Sequence, residues 1–128
     1  MSEQGSTAGQ CLCGAVRFRA TVEGTALTLC HCAQCQRWTG GGALHSIKVN
    51  DVEVEGEADI SAYRASDYCE RAFCRICGTT LYWRMQGKPI VYLSPALFDD
   101  TSDFTVGEEI FVDCRAAWSK PHEGAEQS

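Results

Sequence analysis

Seven of the chain's nine cysteines fall into three short motifs. Cys30-His31-Cys32-Ala33-Gln34-Cys35 packs three thiols into six residues; Cys11-Leu12-Cys13-Gly14 precedes it and Phe73-Cys74-Arg75-Ile76-Cys77-Gly78 follows it. The opening residues, MSEQGSTAGQ, carry no apolar h-region, and the cysteine count is odd. Thiols at C-x-C and C-x-x-C spacing in that setting read as metal ligands rather than as a disulfide framework.

Cys74 and Cys77 form a knuckle that aims two thiolates at one ion, with Gly78 permitting the backbone reversal. Cys11 and Cys13, alternate residues of an extended segment, share a face and can close the tetrahedron. Sixty residues lie between Cys13 and Cys74, so such a site would tie the first strand to the second half of the chain. Metal-binding energy would then be folding energy. Cys30, Cys32 and Cys35 can clamp an ion by themselves but leave it one protein ligand short. Zinc with three protein ligands and an open position is the catalytic arrangement, and four protein ligands the structural one. Two alternatives remain open at this point. The central thiols could complete the knuckle site and leave Cys11 and Cys13 free, or His31 could be a fourth ligand that makes the cluster structural. In an extended C-H-C, however, His31 points away from the face that Cys30 and Cys32 share.

Other chemistry-bearing residues read more plainly. Cys69 is a buried or surface thiol, Cys114 a core residue inside an apolar strand, and His45 and His122 satisfied or solvent-facing histidines. Trp38, Tyr82, Trp83, Tyr92 and Trp118 are core or pocket wall. Arg37, Arg71, Arg75 and Arg84 lie near the cysteine motifs and are the candidates for holding a carboxylate. Asp67 and Glu70 read as surface.

The elements that must position these groups are short strands, and the class is mainly β. Val16, Phe18, Ala20 and Val22 alternate with Arg17 and Arg19, which predicts a half-buried strand. Ala26 to Cys30 is a returning strand that delivers the central cluster at its end, and Gln34 to Thr39 a helical turn closed by glycines. Further strands are expected at Ala43 to Val49 and Val52 to Val54 around an Asn50-Asp51 turn, then at Ile60 to Arg64, Arg71 to Cys74 and Thr79 to Arg84. Ile90 to Leu93 and Ile110 to Cys114 complete the set. Length predicts one domain over residues 9–120, with disordered tails at 1–8 and 121–128 that offer little to bury.

Seventeen acidic against eleven basic residues give a net charge of −6, without the electrostatic footprint of a nucleic-acid binder. No apolar run is long enough to span a bilayer. A cytoplasmic protein is expected.

The ordered set C-x-C-G (Cys11, Cys13, Gly14), C-H-C-x-x-C (Cys30, Cys32, Cys35) and F-C-x-x-C-G-T-x-L (Phe73 to Leu81) resembles the glutathione-dependent formaldehyde-activating enzyme family, which includes centromere protein V. The likeness extends over roughly residues 9–118. It implies short, coiled antiparallel sheets braced by a structural zinc at Cys11, Cys13, Cys74 and Cys77, and a catalytic zinc at Cys30, Cys32 and Cys35. It also implies a carbon–sulfur lyase acting in reverse as a synthase, joining glutathione or a similar thiol to formaldehyde or another small aldehyde. Two zinc ions per chain follow, the second being the one whose site could stand vacant. The rival readings are a zinc-stabilised binding module without catalysis and a thiol or redox sensor built on the central cluster.

Overall fold

The computed structural model describes residues 4–128. Ten strands and one short helix follow one another as β1 (Gln4–Gln10), β2 (Arg17–Glu23), β3 (Ala26–Cys30), α1 (Ala33–Thr39), β4 (Leu44–Glu55), β5 (Ile60–Arg64), β6 (Cys69–Cys74), β7 (Thr80–Met85), β8 (Val91–Leu93), β9 (Thr105–Ile110) and β10 (Glu126–Gln127). Among the described residues no helix is long and apolar enough to cross a membrane.

The long strand β4 organises the rest. Its first residues pair with β3, its middle with β8 and its last with β2, each antiparallel, so one bent strand belongs to two sheets. The bend has a local cause. Thr21 faces Asp51 but Val22 faces Val49, which leaves Asn50 as an extra residue. Such a bulge bends a strand and increases its twist without ending the ladder. The expected Asn50-Asp51 turn is therefore a bulge inside a continuous strand.

From β8 the sheet continues antiparallel through β7 and β6 to β5. On the other side β3 pairs parallel with β9, and β9 parallel with β10, two parallel pairs within the mainly β fold whose remaining pairings are the antiparallel ones the resemblance implies. Val16, Phe18, Ala20 and Val22 are buried, as their alternation predicts, and pack with Leu29, Val49, Leu81 and Leu93 into one core. Cys11 and Cys74 are members of that same core.

Both expected tails are structured where they are described. Gln4–Gln10 pairs residue for residue with β2, so an edge strand with little to bury is held by its backbone ladder; residues 1–3 lie outside the described residues. At the other end the Ser128 amide donates to the Glu109 carbonyl at 2.8 Å, and Glu126–Gln127 adds a strand beside β9. The last strong strand is also shifted: β9 ends at Ile110, Phe111 sits in the left-handed region (φ 55°), and Val112–Cys114 is a 3-10 turn. Cys114 is consequently exposed rather than a core residue.

Candidate functional site

Two groups of sulfur atoms come together, each with its Sγ atoms within 4.8 Å of one another: Cys11, Cys13, Cys74 and Cys77, and separately Cys30, Cys32 and Cys35. All nine cysteines are free thiols.

The tetrad is built on backbone. Cys11 and Cys13 flank a tight turn between β1 and β2; Cys74 ends β6, and Gly78, at φ +81°, turns the chain so that its amide donates to the Cys74 carbonyl at 2.8 Å. Amides of Val16 and Cys77 point at the Cys11 and Cys74 sulfurs at 3.4 and 3.5 Å. Thr79 bridges the two halves, accepting from the Leu12 amide at 3.0 Å while its hydroxyl lies 3.1 Å from Cys77 Sγ. That hydroxyl, followed by the Thr79 amide, holds the Cys77 thiol down to about 5. Sulfur separations of 3.7 Å (Cys11–Cys13) and 3.9 Å (Cys13–Cys74) match the roughly 3.8 Å edge of a tetrahedron with ~2.3 Å metal–sulfur bonds. The donor set thus fits a zinc-like ion, and the pairing of Cys11 and Cys13 with the knuckle is the arrangement expected above.

The triad sits where β3 runs into α1. Cys30 is the last residue of β3, Cys32 caps the helix and accepts from the Cys35 amide at 3.4 Å, and Cys35 is the helix's buried position. The Cys35 thiol is held down to about 6, first by the neighbouring Cys30 thiol and then, against burial, by Cys32 and Arg71. Cys30 is pushed up in turn, first by Cys35 and then by burial. Of Cys30 and Cys35, the latter is therefore the readier to ionise, with a guanidinium beside it.

Arg71, on β6, supplies that guanidinium. Its Nη1 and Nη2 lie 3.7 and 3.6 Å from Cys35 Sγ, its Nε and Nη2 donate to Gln34 Oε1 at 3.3 and 3.2 Å, and its guanidinium lies 5.0 Å from the Trp38 ring centre. Only 8% of Arg71 is exposed. Of the other candidate cations, Arg37 lies on α1, whereas Arg75 pairs with Asp59 at 2.8 Å and Arg84 with Glu70. Cys69 joins neither sulfur group, and burial pushes its thiol up.

His31 turns away from the sulfurs, as the extended geometry requires. It is 1% exposed, and its Nε2 lies 2.7 Å from Glu109 Oε1. Glu109 is wholly buried and is the residue that sequence reasoning missed. It gathers the Arg115 guanidinium (3.3 Å), the His122 amide (2.8 Å) and the Gln127 amide group (2.8 Å) as well. Burial works against charge on Glu109, yet those donors together hold its carboxyl well below the usual carboxylate range. Since a carboxylate only accepts, His31 Nε2 carries the hydrogen of that bond. Two adjacent glutamates on a strand face opposite sides, so Glu108-Glu109 was a signal that one of them points inward.

Beside the triad opens a cleft of about 490 Å³. Trp38, Tyr63 and Phe73 give it aromatic walls, and Gln34, Arg37 and Arg71 its polar groups. Trp83 and Tyr92 instead stack on each other at 4.1 Å across β7 and β8, and Trp118 is 74% exposed.

The family model described as glutathione-dependent formaldehyde-activating enzyme matches residues 6–114. The chain belongs to this family. A relative from Schizosaccharomyces pombe, named an uncharacterized lyase, is 30% identical over 106 residues, covering 82% of this chain and 77% of the relative. A crystal structure of a Rhodobacter sphaeroides protein aligns with a TM-score of 0.62 at 21% identity, over 72% of this chain and 87% of that one. At that identity the likeness speaks for the fold alone. The span matched to the formaldehyde-activating family contains both sulfur groups, Arg71 and Glu109, and ends before Arg115, His122 and Gln127.

Proposed function

We propose that the chain is a carbon–sulfur lyase or synthase joining a thiol, glutathione or a similar one, to formaldehyde or another small aldehyde. In this reading Cys11, Cys13, Cys74 and Cys77 hold a structural zinc, and Cys30, Cys32 and Cys35 hold a catalytic one. The observation that carries it is geometric: among the described residues the group whose ligand atoms lie within 4.8 Å of one another here is Cys30, Cys32 and Cys35, and His31, bonded through Nε2 to Glu109, stands outside it. Zinc held there supplies a positive centre that favours thiolate over thiol.

The chain's own residues do the rest. Three thiolates on a divalent ion leave a net charge of −1, and the Arg71 guanidinium beside Cys35 offsets it. A near-neutral site admits an incoming anionic sulfur more readily than an anionic one would. In this reading the aldehyde occupies the adjoining cleft, whose wall includes Arg71, the residue that also touches Cys35 Sγ. A C–S bond forms, the carbonyl π pair moves to oxygen, and the proton lost by the thiol ends on that oxygen as the hydroxyl of the hydroxymethyl thioether. Nothing is oxidised or reduced. Thiols add to formaldehyde unaided, so positioning is the contribution asked of the protein.

The test follows hydroxymethyl-thioether formation from carbon-13 formaldehyde by NMR, with and without the protein. Wild type should exceed the uncatalysed rate and Cys32→Ser should not. Identical rates for wild type, variant and blank across several thiols and aldehydes would refute the activity.

A further inference from the structure

The cleft beside the triad differs in character from what a tripeptide thiol would need. Arg71 forms part of its wall, but that guanidinium already faces Cys35 Sγ, Gln34 Oε1 and the Trp38 ring, and is nearly buried. Arg37 is the other cation in the lining, exposed on α1 and engaged in no ion pair or side-chain hydrogen bond among the described residues. One cation is therefore available to a ligand. Glutathione brings two carboxylates and an ammonium, and would set polar groups against Trp38, Tyr63 and Phe73. Polar groups removed from water without partners cost free energy, whereas flat apolar groups on aromatic walls gain it. Trp38 is also pinned by the Arg71 guanidinium, so this wall is ordered before a ligand arrives. The cleft volume of about 490 Å³ is that of a small-molecule site.

We infer that this cleft selects a thiol with a planar, apolar body and a single carboxylate, the ring lying against Trp38, Tyr63 and Phe73 and the carboxylate meeting Arg37. The inference rests on reading Cys30, Cys32 and Cys35 as the place that receives the sulfur. Arg71 and Gln34 join the two regions, because both line the cleft and Arg71 also touches Cys35 Sγ. A thiol held in the cleft with its sulfur directed past Arg71 toward Cys35 lays its body along the aromatic walls.

Calorimetric titration of the intact zinc-loaded protein separates the possibilities. The probes are 4-(mercaptomethyl)benzoate, phenylmethanethiol and glutathione, all alkyl thiols, so thiol acidity does not decide the outcome. The benzoate should bind about tenfold more tightly than glutathione, the scale expected of one ring stacked on an aromatic wall. Trp38→Leu and Tyr63→Ser should each remove most of that preference, read as the ratio of benzoate to glutathione affinity within the same variant. Tyr63 is 67% exposed, so its substitution does not threaten the fold. Arg37→Gln should bring the benzoate's affinity down to that of phenylmethanethiol. Glutathione binding as tightly as the benzoate, or a preference that survives both aromatic substitutions, overturns the inference. Thiol binding undiminished in Cys32→Ser overturns the reading of the triad instead, and no thiol binding to wild type overturns both.

Discussion

Replacing Glu109 by glutamine tests whether the buried carboxylate is the anchor that holds the triad loop and the C-terminal segment to the sheet. Its Oε1 receives His31 Nε2 at 2.7 Å and Arg115 Nη2 at 3.3 Å, and its Oε2 receives the His122 amide and Gln127 Nε2, each at 2.8 Å. Glutamine keeps one acceptor oxygen and turns an NH2 toward the other pair of donors. Two donors are then left facing a donor in a buried site, at about 1–3 kcal/mol each. The charge assistance to Arg115 is lost as well. A destabilisation of about 3–4 kcal/mol follows, a large share of the ~5–15 kcal/mol typical of a domain. Urea unfolding at pH 7, followed by tryptophan fluorescence, should show a midpoint lowered by about 1–2 M. The pH dependence carries a second check. Because the folded carboxyl lies below its ordinary value, the unfolded chain takes up the proton first as pH falls. Glu109's stabilisation is complete above the ordinary glutamate value of about 4.3 and fades as pH drops from there toward the folded value. The gap between wild type and Glu109→Gln should therefore narrow below about pH 4. Equal stability at pH 7, or a gap that stays constant down to pH 3, would refute the assignment of that stability to the ionised carboxylate.

The two sulfur groups should respond differently to loss of one thiol. Cys74→Ser, in a fully buried tetrad position, should lower stability by several kcal/mol (about 3–5) together with zinc content, whereas Cys32→Ser should stay within about 1 kcal/mol; thermal unfolding and metal analysis read both, and equal collapse would show the groups are not distinct. Arg71→Met should weaken thiol binding roughly tenfold, and Arg71→Lys should restore it only in part, because an ammonium cannot reach Gln34 and Cys35 together while lying on Trp38. Wild-type affinity in Arg71→Met would remove the charge-balance argument. Gly9→Ala should destabilise by about 1–3 kcal/mol, since its Cβ would stand 2.2 Å from the Leu97 carbonyl oxygen where β1 crosses the turn before Phe98. Unchanged urea unfolding of that variant would mean β1 yields without cost.

Local pattern in the amino-acid sequence was enough for what depends on near neighbours. The alternation of Val16, Phe18, Ala20 and Val22 placed a core strand, and the cysteine spacings placed two sulfur groups, because the period of an extended chain and the reach of a knuckle are set within a few residues. His31 turned from Cys30 and Cys32 for the same local reason. Its partner could not be read that way, since Glu109 lies in a strand 78 residues further along and meets His31 only because β3 and β9 run parallel. The bend of β4 at Asn50, the pairing of the terminal segments and the seat of Arg71 against Cys35 likewise arise from contacts between distant strands. Backbone periodicity sets which way each side chain points; only the assembled sheets decide what stands opposite it, and so which arginine faces the triad and which carboxylate is buried.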